Sequence, residues 1–241
     1  MEQFKRTTLL IGNEGLQKLK EAKIAVIGLG GVGSYAVEAL VRAGIGSFLI
    51  IDFDRISESN INRQLIALHS TVGKLKTDII KERMLDINPY VQVEVLNEFF
   101  AKENRLEHLG KVDYILDAID SIGPKMGMIK DLLEIDLPFI SVLGAGNRLD
   151  PTKIEINSIW ESKHCPLAKR LKKLLRRYGV TKDFPVVFSS EKPIGIEVDE
   201  PIILNEIRPD SIPKTTVGSI SYMPAIMGMM AASWVIRSII D

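Results

Sequence analysis

Gly28-Leu29-Gly30-Gly31-Val32-Gly33 lies between an apolar run, Lys23–Ile27, and a helix-like segment, residues 34–43, and Asp52 follows the last glycine by nineteen positions. Glycines let a backbone turn sharply and approach a phosphate closely. The helix that follows offers unpaired N–H groups and its positive dipole end, and an acid after the second strand accepts ribose hydroxyls. The succession of strand, turn, helix, strand and acid therefore points to a nucleotide site built from Gly28, Gly30, Gly31, Gly33, Asp52 and Asp54. It does not say which nucleotide. Further along stand Ser59-Asn60-Ile61-Asn62-Arg63-Gln64, then Lys76 thirteen residues after Arg63, then Asp117-Ala118-Ile119-Asp120-Ser121. Taken singly, an acid after a strand is often a helix cap, and a surface arginine or lysine is usually solvated. Together, downstream of the glycine turn, they form a candidate reaction site.

The elements that must position these residues alternate. Lys23–Ile27, Ser47–Ile51 and residues 91–96, 114–116 and 138–143 are short, rich in Val, Ile, Leu and Phe, and bounded by turn signals, so they are expected to be strands. Between them, residues 32–43, 74–87 and 124–135 carry apolar side chains at helical spacing. Such alternation predicts an α/β fold: a Rossmann-like, doubly wound, mostly parallel sheet with right-handed crossovers and helices on both faces. Ligands in these sheets sit beyond the carboxyl ends of the strands, where Asp52 and Asp120 both fall. Residues 1–150 are expected to form the nucleotide-binding core and residues 151–241 a C-terminal extension of the same domain. The extension reads as a strand (154–159), a basic helix (166–178), a strand (186–190), a long loop (191–214) with four prolines and six acids, and an apolar helix (220–236).

Composition removes several classes. The 241 residues are enough for a full core, since domains of about this size hide roughly 70–75% of their unfolded surface. Lysine plus arginine equals aspartate plus glutamate, 31 each, so affinity for nucleic acid or lipid must come from a local patch. A lone cysteine, Cys165, excludes an intrachain disulfide framework and a cysteine-only zinc site, and it suggests a reducing, cytoplasmic setting. Met1-Glu2-Gln3-Phe4-Lys5-Arg6 does not read as a signal peptide. The apolar stretch 220–236 contains Ser221, Pro224, Gly228 and Ser233, is closed by Arg237, and is shorter than the ~20 residues of a spanning helix. It is expected to be a helix buried in the core or against a second copy, with no integral insertion in a membrane.

The GxGGxG turn, the following aspartate, NxxRQ, the lysine thirteen residues later and the D-A-x-D turn jointly resemble the ubiquitin-activating superfamily of adenylating enzymes. That resemblance implies ATP as the cofactor and attack of a carboxylate oxygen on its α-phosphorus. Arg63 would then supply a planar fork of donors to the phosphates and Lys76 a compact charge, with Asn60 and Gln64 adding neutral hydrogen bonds. Asp120 would hold a magnesium ion at the departing pyrophosphate. It also implies a homodimer in which Arg6 reaches the phosphates bound by the other subunit.

Two features bear on the branch. Activators that pass their substrate to a thioester need a nucleophilic cysteine, and many carry CxxC zinc ligands; here there is Cys165 alone, at the expected start of a helix. Residues 163–182 hold eight lysines and arginines and no acid. With Leu167, Leu171, Leu174, Leu175 and Tyr178 on one face, Lys169, Arg170, Lys172, Lys173, Arg176 and Arg177 would project outward as a candidate nucleic-acid footprint. Along nearly its whole length the chain resembles the tRNA threonylcarbamoyladenosine dehydratase branch of the superfamily, through segments such as Gly144-Ala145-Gly146, Asp150-Pro151-Thr152, Cys165-Pro166-Leu167-Ala168 and Phe188-Ser189-Ser190-Glu191. This implies a tRNA substrate and an accessory protein of a sulfur-transfer system. Adenylation of a ubiquitin-like or sulfur-carrier protein is the enzymatic alternative. A nicotinamide-dependent dehydrogenase would share the glycine turn but leave Arg63, Lys76 and Asp120 without a task, and a non-enzymatic ATP sensor would use the same pocket without turnover.

Overall fold

A computed structural model describes residues 2–98, 107–109, 111–195 and 217–241. Its strands are β1 (Lys23–Ile27), β2 (Ser47–Ile51), β3 (Gln92–Leu96), β4 (Tyr114–Asp117), β5 (Phe139–Val142), β6 (Ile154–Ser158) and β7 (Pro185–Ser189). They form one sheet in the order β3-β2-β1-β4-β5-β7-β6. Pairing is parallel throughout except between β6 and β7, which run antiparallel at the edge. The chain moves outward from β1 through β2 to β3, then returns to β4 on the other side of β1. That reversal opens a crevice beyond the carboxyl ends of β1 and β4, the usual ligand position in an open parallel sheet.

The helices are α1 (Lys5–Glu21), α2 (Gly33–Ala43), α3 (Lys76–Ile87), α4 (Ile122–Ile135), α5 (Pro166–Arg177) and α6 (Tyr222–Ile240). Because strand side chains alternate, each central strand feeds two cores. Ile24, Val26, Phe48 and Ile50 face Val37 and Leu40 of α2 and Met227 and Ala231 of α6. Ala25, Ile27, Leu49 and Ile51 face Met128, Ile129 and Leu132 of α4 and Leu171 and Leu175 of α5. Burial on both faces explains why β1 and β2 read as continuous apolar runs.

Expected and observed elements agree to within a few residues, with three differences. First, α1 is not visible in the sequence, because its apolar residues do not share one face. Leu16 and Leu19 point inward, Leu9 and Leu10 are 88% and 85% exposed, and Gly12 breaks the helical phase between them. Second, Tyr178 is exposed and not part of the buried face of α5, because it lies one residue past the helix end as its C-cap. Third, the apolar C-terminal helix runs to Ile240 and has 19 residues with mean hydropathy 1.5, so length alone does not separate it from a membrane span. One face of it, with Met223, Met227, Ala231, Ala232 and Val235, is buried against the rest of the domain. Of the expected loop 191–214, residues 196–214 lie outside the described residues.

Contact between α6 and α2 is close enough to exclude a side chain. A Cβ on Gly228 would run into the Val32 carbonyl oxygen and lie 3.2 Å from the Ala36 nitrogen, and one on Gly31 would lie 3.2 Å from the Pro224 ring. The C-terminal helix therefore braces the glycine turn itself. Gly228→Ala is expected to cost about 1–3 kcal/mol through overpacking, a fall in melting temperature of roughly 2–12 °C for a chain of this length. Gly123→Ala, at a helical position with nothing within 4 Å of the added carbon, is the control and should leave the melting temperature unchanged or raise it slightly.

Candidate active site

β1 ends at Ile27 and the chain turns at Gly28, whose amide donates to the Ile51 carbonyl at 2.8 Å and so pins the turn to β2. Gly28 has φ 88°, and a Cβ there would lie 2.8 Å from the Ala118 carbonyl oxygen; one on Gly33 would overlap the Gly28 carbonyl. No larger residue fits either place. Ser34 Oγ donates to the Gly30 carbonyl at 2.7 Å and fixes the next step of the turn. At the N-terminus of α2, the N-cap Val32 contributes no side-chain hydrogen bond, so no side chain caps the leading amides, and the positive end of the helix faces the turn.

Asp52, 8% exposed at the carboxyl end of β2, grips this turn. Its Oδ2 accepts from the Leu29 amide at 2.6 Å and its Oδ1 from the Asp54 amide at 2.8 Å. Burial raises the Asp52 pKa above the ordinary aspartate value, against opposition from the nearby Lys76 charge and the two amides. Lys76, at the first position of α3 and 5% exposed, donates from Nζ to Asp54 Oδ2 at 2.7 Å. The bridge between Arg55 and Leu75 and the bond from the Lys76 amide to the Asp54 carbonyl, 3.1 Å, hold that pair in register.

Residues 57–65 form the other wall. Asn60 is buried, and its Oδ1 accepts from the Ser57 amide at 3.2 Å, so the side chain shapes the turn. Arg63 is half-buried, with Nη1 donating to the Ser59 carbonyl and to Asn62 Oδ1, both at 2.9 Å. Its own carbonyl would meet a Cβ on Gly31 at 3.2 Å, which places the Arg63 backbone against the glycine turn. Gln64 is 7% exposed and its Nε2 lies beside Gly30. Its Oε1 is buried without a hydrogen-bond partner in this structure. A buried amide oxygen without a partner costs about 1–3 kcal/mol, and this one is an acceptor open to a donor.

The third wall follows β4. The Ala118 amide donates to the Ile27 carbonyl at 2.9 Å, so the turn carrying Asp120 lies beside Gly28. Asp120 is exposed and accepts from Ser121 Oγ at 3.2 Å. Below it lies a group of which the sequence motifs include only Asp117. Asp117, Lys125 and Ser141 are fully buried, and Lys125 Nζ lies 2.5 Å from Asp117 Oδ2. A signal for it exists in the chain: Lys125 falls on the stripe Ile122, Met126, Ile129 that α4 turns to the core. Arg148 is also buried, donating to the carbonyls of Gly144 at 2.7 Å, Gly146 at 3.1 Å and His164 at 2.9 Å.

Two expected groups stand apart from this site in the chain. Arg6 is exposed on α1, and Phe4 beside it packs on Gly44 at the far end of α2, about 16 Å along a helix of that length from the glycine turn. On α5, Lys169, Arg170, Lys173 and Arg177 are exposed. Lys172 instead folds back, donating to the Ser162 carbonyl at 2.6 Å, and Arg176 lies over the Trp160 ring at 5.3 Å. Cys165 is buried as the N-cap of α5, where Sγ accepts from the Ala168 amide at 3.5 Å.

The sequence pattern of the ThiF family matches residues 4–241. This chain belongs to the ThiF family. It is 39% identical over 245 residues to a Bacillus subtilis tRNA threonylcarbamoyladenosine dehydratase, covering 100% of this chain and 95% of the relative. The crystal structure of the Escherichia coli tRNA N6-threonylcarbamoyladenosine dehydratase in complex with AMP superposes with a TM-score of 0.88 at 32% identity, over 99% of this chain and 94% of that one. The ATP complex of the same Escherichia coli enzyme gives 0.87 over 99% and 93%. ThiF-family membership and the Rossmann-like sheet thus agree, and the bound nucleotides belong to those relatives.

The shape of the glycine turn is tied to the ionisation of Asp52. The carboxylate must be ionised to accept from both the Leu29 and Asp54 amides, and burial makes protonation begin at a higher pH than for an ordinary aspartate. ATP affinity of the wild type, measured by calorimetry from about pH 7 down to 4, is expected to fall as that proton binds. Asp52→Asn should bind ATP weakly at every pH and lose this component, leaving the titration of the ligand alone.

Proposed function

We propose that this protein is an ATP-dependent tRNA threonylcarbamoyladenosine dehydratase working in a cytoplasmic setting. The observation that supports it above others is the full-length match to dehydratases of that name, joined to a glycine turn that has Asp52, Gln64 and the Arg63 backbone against it and Lys76 paired with nearby Asp54. The carboxylate of the threonyl group attacks the α-phosphorus of ATP, an O–P bond forms, and the bond to the β-phosphate oxygen breaks to release pyrophosphate. A nitrogen or oxygen of the same modified side group then attacks the activated carbonyl, loses its proton, and expels AMP. The net change in the nucleoside is loss of water. Because the second nucleophile is already attached, ring closure has a high effective concentration and needs no enzyme cysteine, in keeping with the burial of Cys165.

The chain's own residues divide the work. The amides of the glycine turn and the N-terminus of α2 receive phosphate oxygens, Asp52 fixes the turn and faces the ribose, and Gln64 Oε1 gains a donor. Arg63 and Lys76 neutralise the phosphates, at the expense of the Ser59 carbonyl and Asp54, their present partners. Among the described residues no cluster of three or more metal-ligating side chains exists. Magnesium binds through one or two carboxylates together with phosphate oxygens and water. Asp120 is the carboxylate that would hold it, and the ion would supply charge neutralisation on the departing pyrophosphate. Since Arg6 is remote from its own pocket, its use on phosphates requires a second copy of the chain, which favours a homodimer with exposed Leu9 and Leu10 near the contact.

For tRNA, Lys169, Arg170, Lys173 and Arg177 of α5 form the better footprint; Lys172 is turned back to the Ser162 carbonyl, and Arg176, also exposed, is engaged with the Trp160 ring. Replacing those four by Glu is expected to weaken tRNA binding and to reduce the slope of log affinity against log salt by about 1 for each phosphate no longer neutralised. Lys172→Ala and Arg176→Ala should instead lower thermal stability with little change in that slope. Filter binding at several salt concentrations and melting curves separate the two groups.

Incubation with ATP, magnesium and tRNA is expected to yield, by nucleoside mass spectrometry, a loss of about 18 Da from threonylcarbamoyladenosine, the mass of one water. Arg63→Ala should reduce pyrophosphate release by about 10²–10³-fold. Release that depends on a protein ending in Gly-Gly and not on tRNA would turn the assignment toward a sulfur-carrier activator, and wild-type release from Arg63→Ala would overturn the site.

A further inference from the structure

We propose that Lys125, which touches no ligand position itself, is a positioning residue for the nucleotide site and acts through Asp117. The Lys125 ammonium is fully buried and spends its donors on Asp117 Oδ2 at 2.5 Å, Ser141 Oγ at 3.0 Å and the Val142 carbonyl at 3.0 Å. Ser141 Oγ in turn donates to Asp117 Oδ2 at 2.6 Å. With Oδ2 held by two donors, the carboxylate cannot rotate, and Oδ1 meets the Ile119 amide at 3.0 Å. That bond closes the turn from Asp117 to Asp120. Its middle residue, Ala118, forms the surface on which Gly28 rests, and its last residue is the proposed magnesium ligand.

Stability does not account for this arrangement. Removing two ions from water costs several kcal/mol each, and well-packed apolar residues of similar volume are often as stable or more so. What an ammonium offers and a methyl group lacks is three directed bonds. Lys125 uses them to tie the first turn of α4 to the ends of β4 and β5, the two strands beside the crevice. Without it the Asp117 carboxylate is free to turn, the Ile119 amide loses its fixed acceptor, and Asp120 shifts relative to the glycine turn. Gly28 keeps its own bond to the Ile51 carbonyl, and Asp52, Arg63 and Lys76, which hold the nucleotide without its metal, have their partners outside the Asp117–Asp120 turn. The loss therefore falls on the coupling between metal and nucleotide.

This inference rests on the reading of Asp120 as the magnesium ligand, and the test separates the two. ATP binding is measured by calorimetry in EDTA and in saturating magnesium, and the ratio of affinities is the coupling, expected in the wild type to be about 5–150-fold. Asp120→Ala is expected to abolish it. Lys125→Met is expected to remove most of it while changing metal-free ATP affinity by no more than about threefold, and to raise the magnesium concentration for half-maximal pyrophosphate release. Because Lys125→Met leaves Asp117 buried without its counter-ion and so endangers folding, the double variant Asp117→Asn, Lys125→Met is measured beside it, with the same loss of coupling expected. A folded variant of either kind that keeps the wild-type coupling, even with a lower melting temperature, assigns the network to stability alone and overturns the proposal. Absence of coupling in the wild type, or its survival in Asp120→Ala, overturns the metal-ligand reading and this inference with it.

Discussion

The site depends on keeping one carboxylate charged where burial opposes charge. Asp52 must be ionised to accept from Leu29 and Asp54 at once, and those two bonds are what give the glycine turn a fixed shape. Burial pushes the other way, and the nearest compensation is the positive charge of Lys76. Lys76 is itself almost fully buried and leans on Asp54. The three groups form a chain of neighbouring charges that runs from buried Asp52 through Lys76 to the more open Asp54. Under the proposed function, an anionic triphosphate beside Lys76 would leave less of its field for Asp52. Arg63 and the amide dipoles of α2 would meet that excess from the opposite wall, which is why the proposed site draws its cations from two separate elements.

Much of this is legible in the sequence because the features involved are local. β1, β2 and α2 are set by apolar period and glycine placement, and the glycine turn is forced by sterics at Gly28 and Gly33 that no other residue satisfies. Arg63, Lys76 and Asp120 are visible as types and spacings. What does not show is long-range. Nothing in the run Lys5–Glu21 announces a helix whose first half faces outward. Lys172 and Lys173 are indistinguishable in the chain, yet one turns back to the Ser162 carbonyl because residues 158–162 pass beneath it, and the other stays in solvent. Lys125 reads as a stray charge on an apolar stripe, since its partners come from two strands, eight and sixteen residues distant.

The C-terminal part joins the core too closely to be an accessory. β7 extends the sheet beside β5, and β6 closes the edge with the one antiparallel pairing. α6 then crosses back over α2 at a separation only glycine permits, with Pro224 against Gly31. Asn62 Nδ2 donates to the Ser219 carbonyl at 3.1 Å, so the entry to α6 also touches the Arg63 wall. Tyr114 closes the far end through its hydroxyl on the Ser238 carbonyl at 2.8 Å and an edge contact with Trp234. A change in α6 therefore reaches the phosphate turn through packing alone.

Charges in this protein have three fates, and burial decides among them. On the exposed face of α5, cations are solvated and add little to stability, which leaves them available to a polyanion. In the crevice, Lys76 and Arg63 are partly or wholly withdrawn from water and held by weak or single partners, so a phosphate can compete for them. Beneath the crevice, Lys125 is withdrawn completely and saturated with acceptors, and no ligand can reach it. A cation saturated in this way cannot bind substrate, but it fixes the backbone that does. The same residue type thus attracts, binds or positions according to how many acceptors the fold has already brought to it.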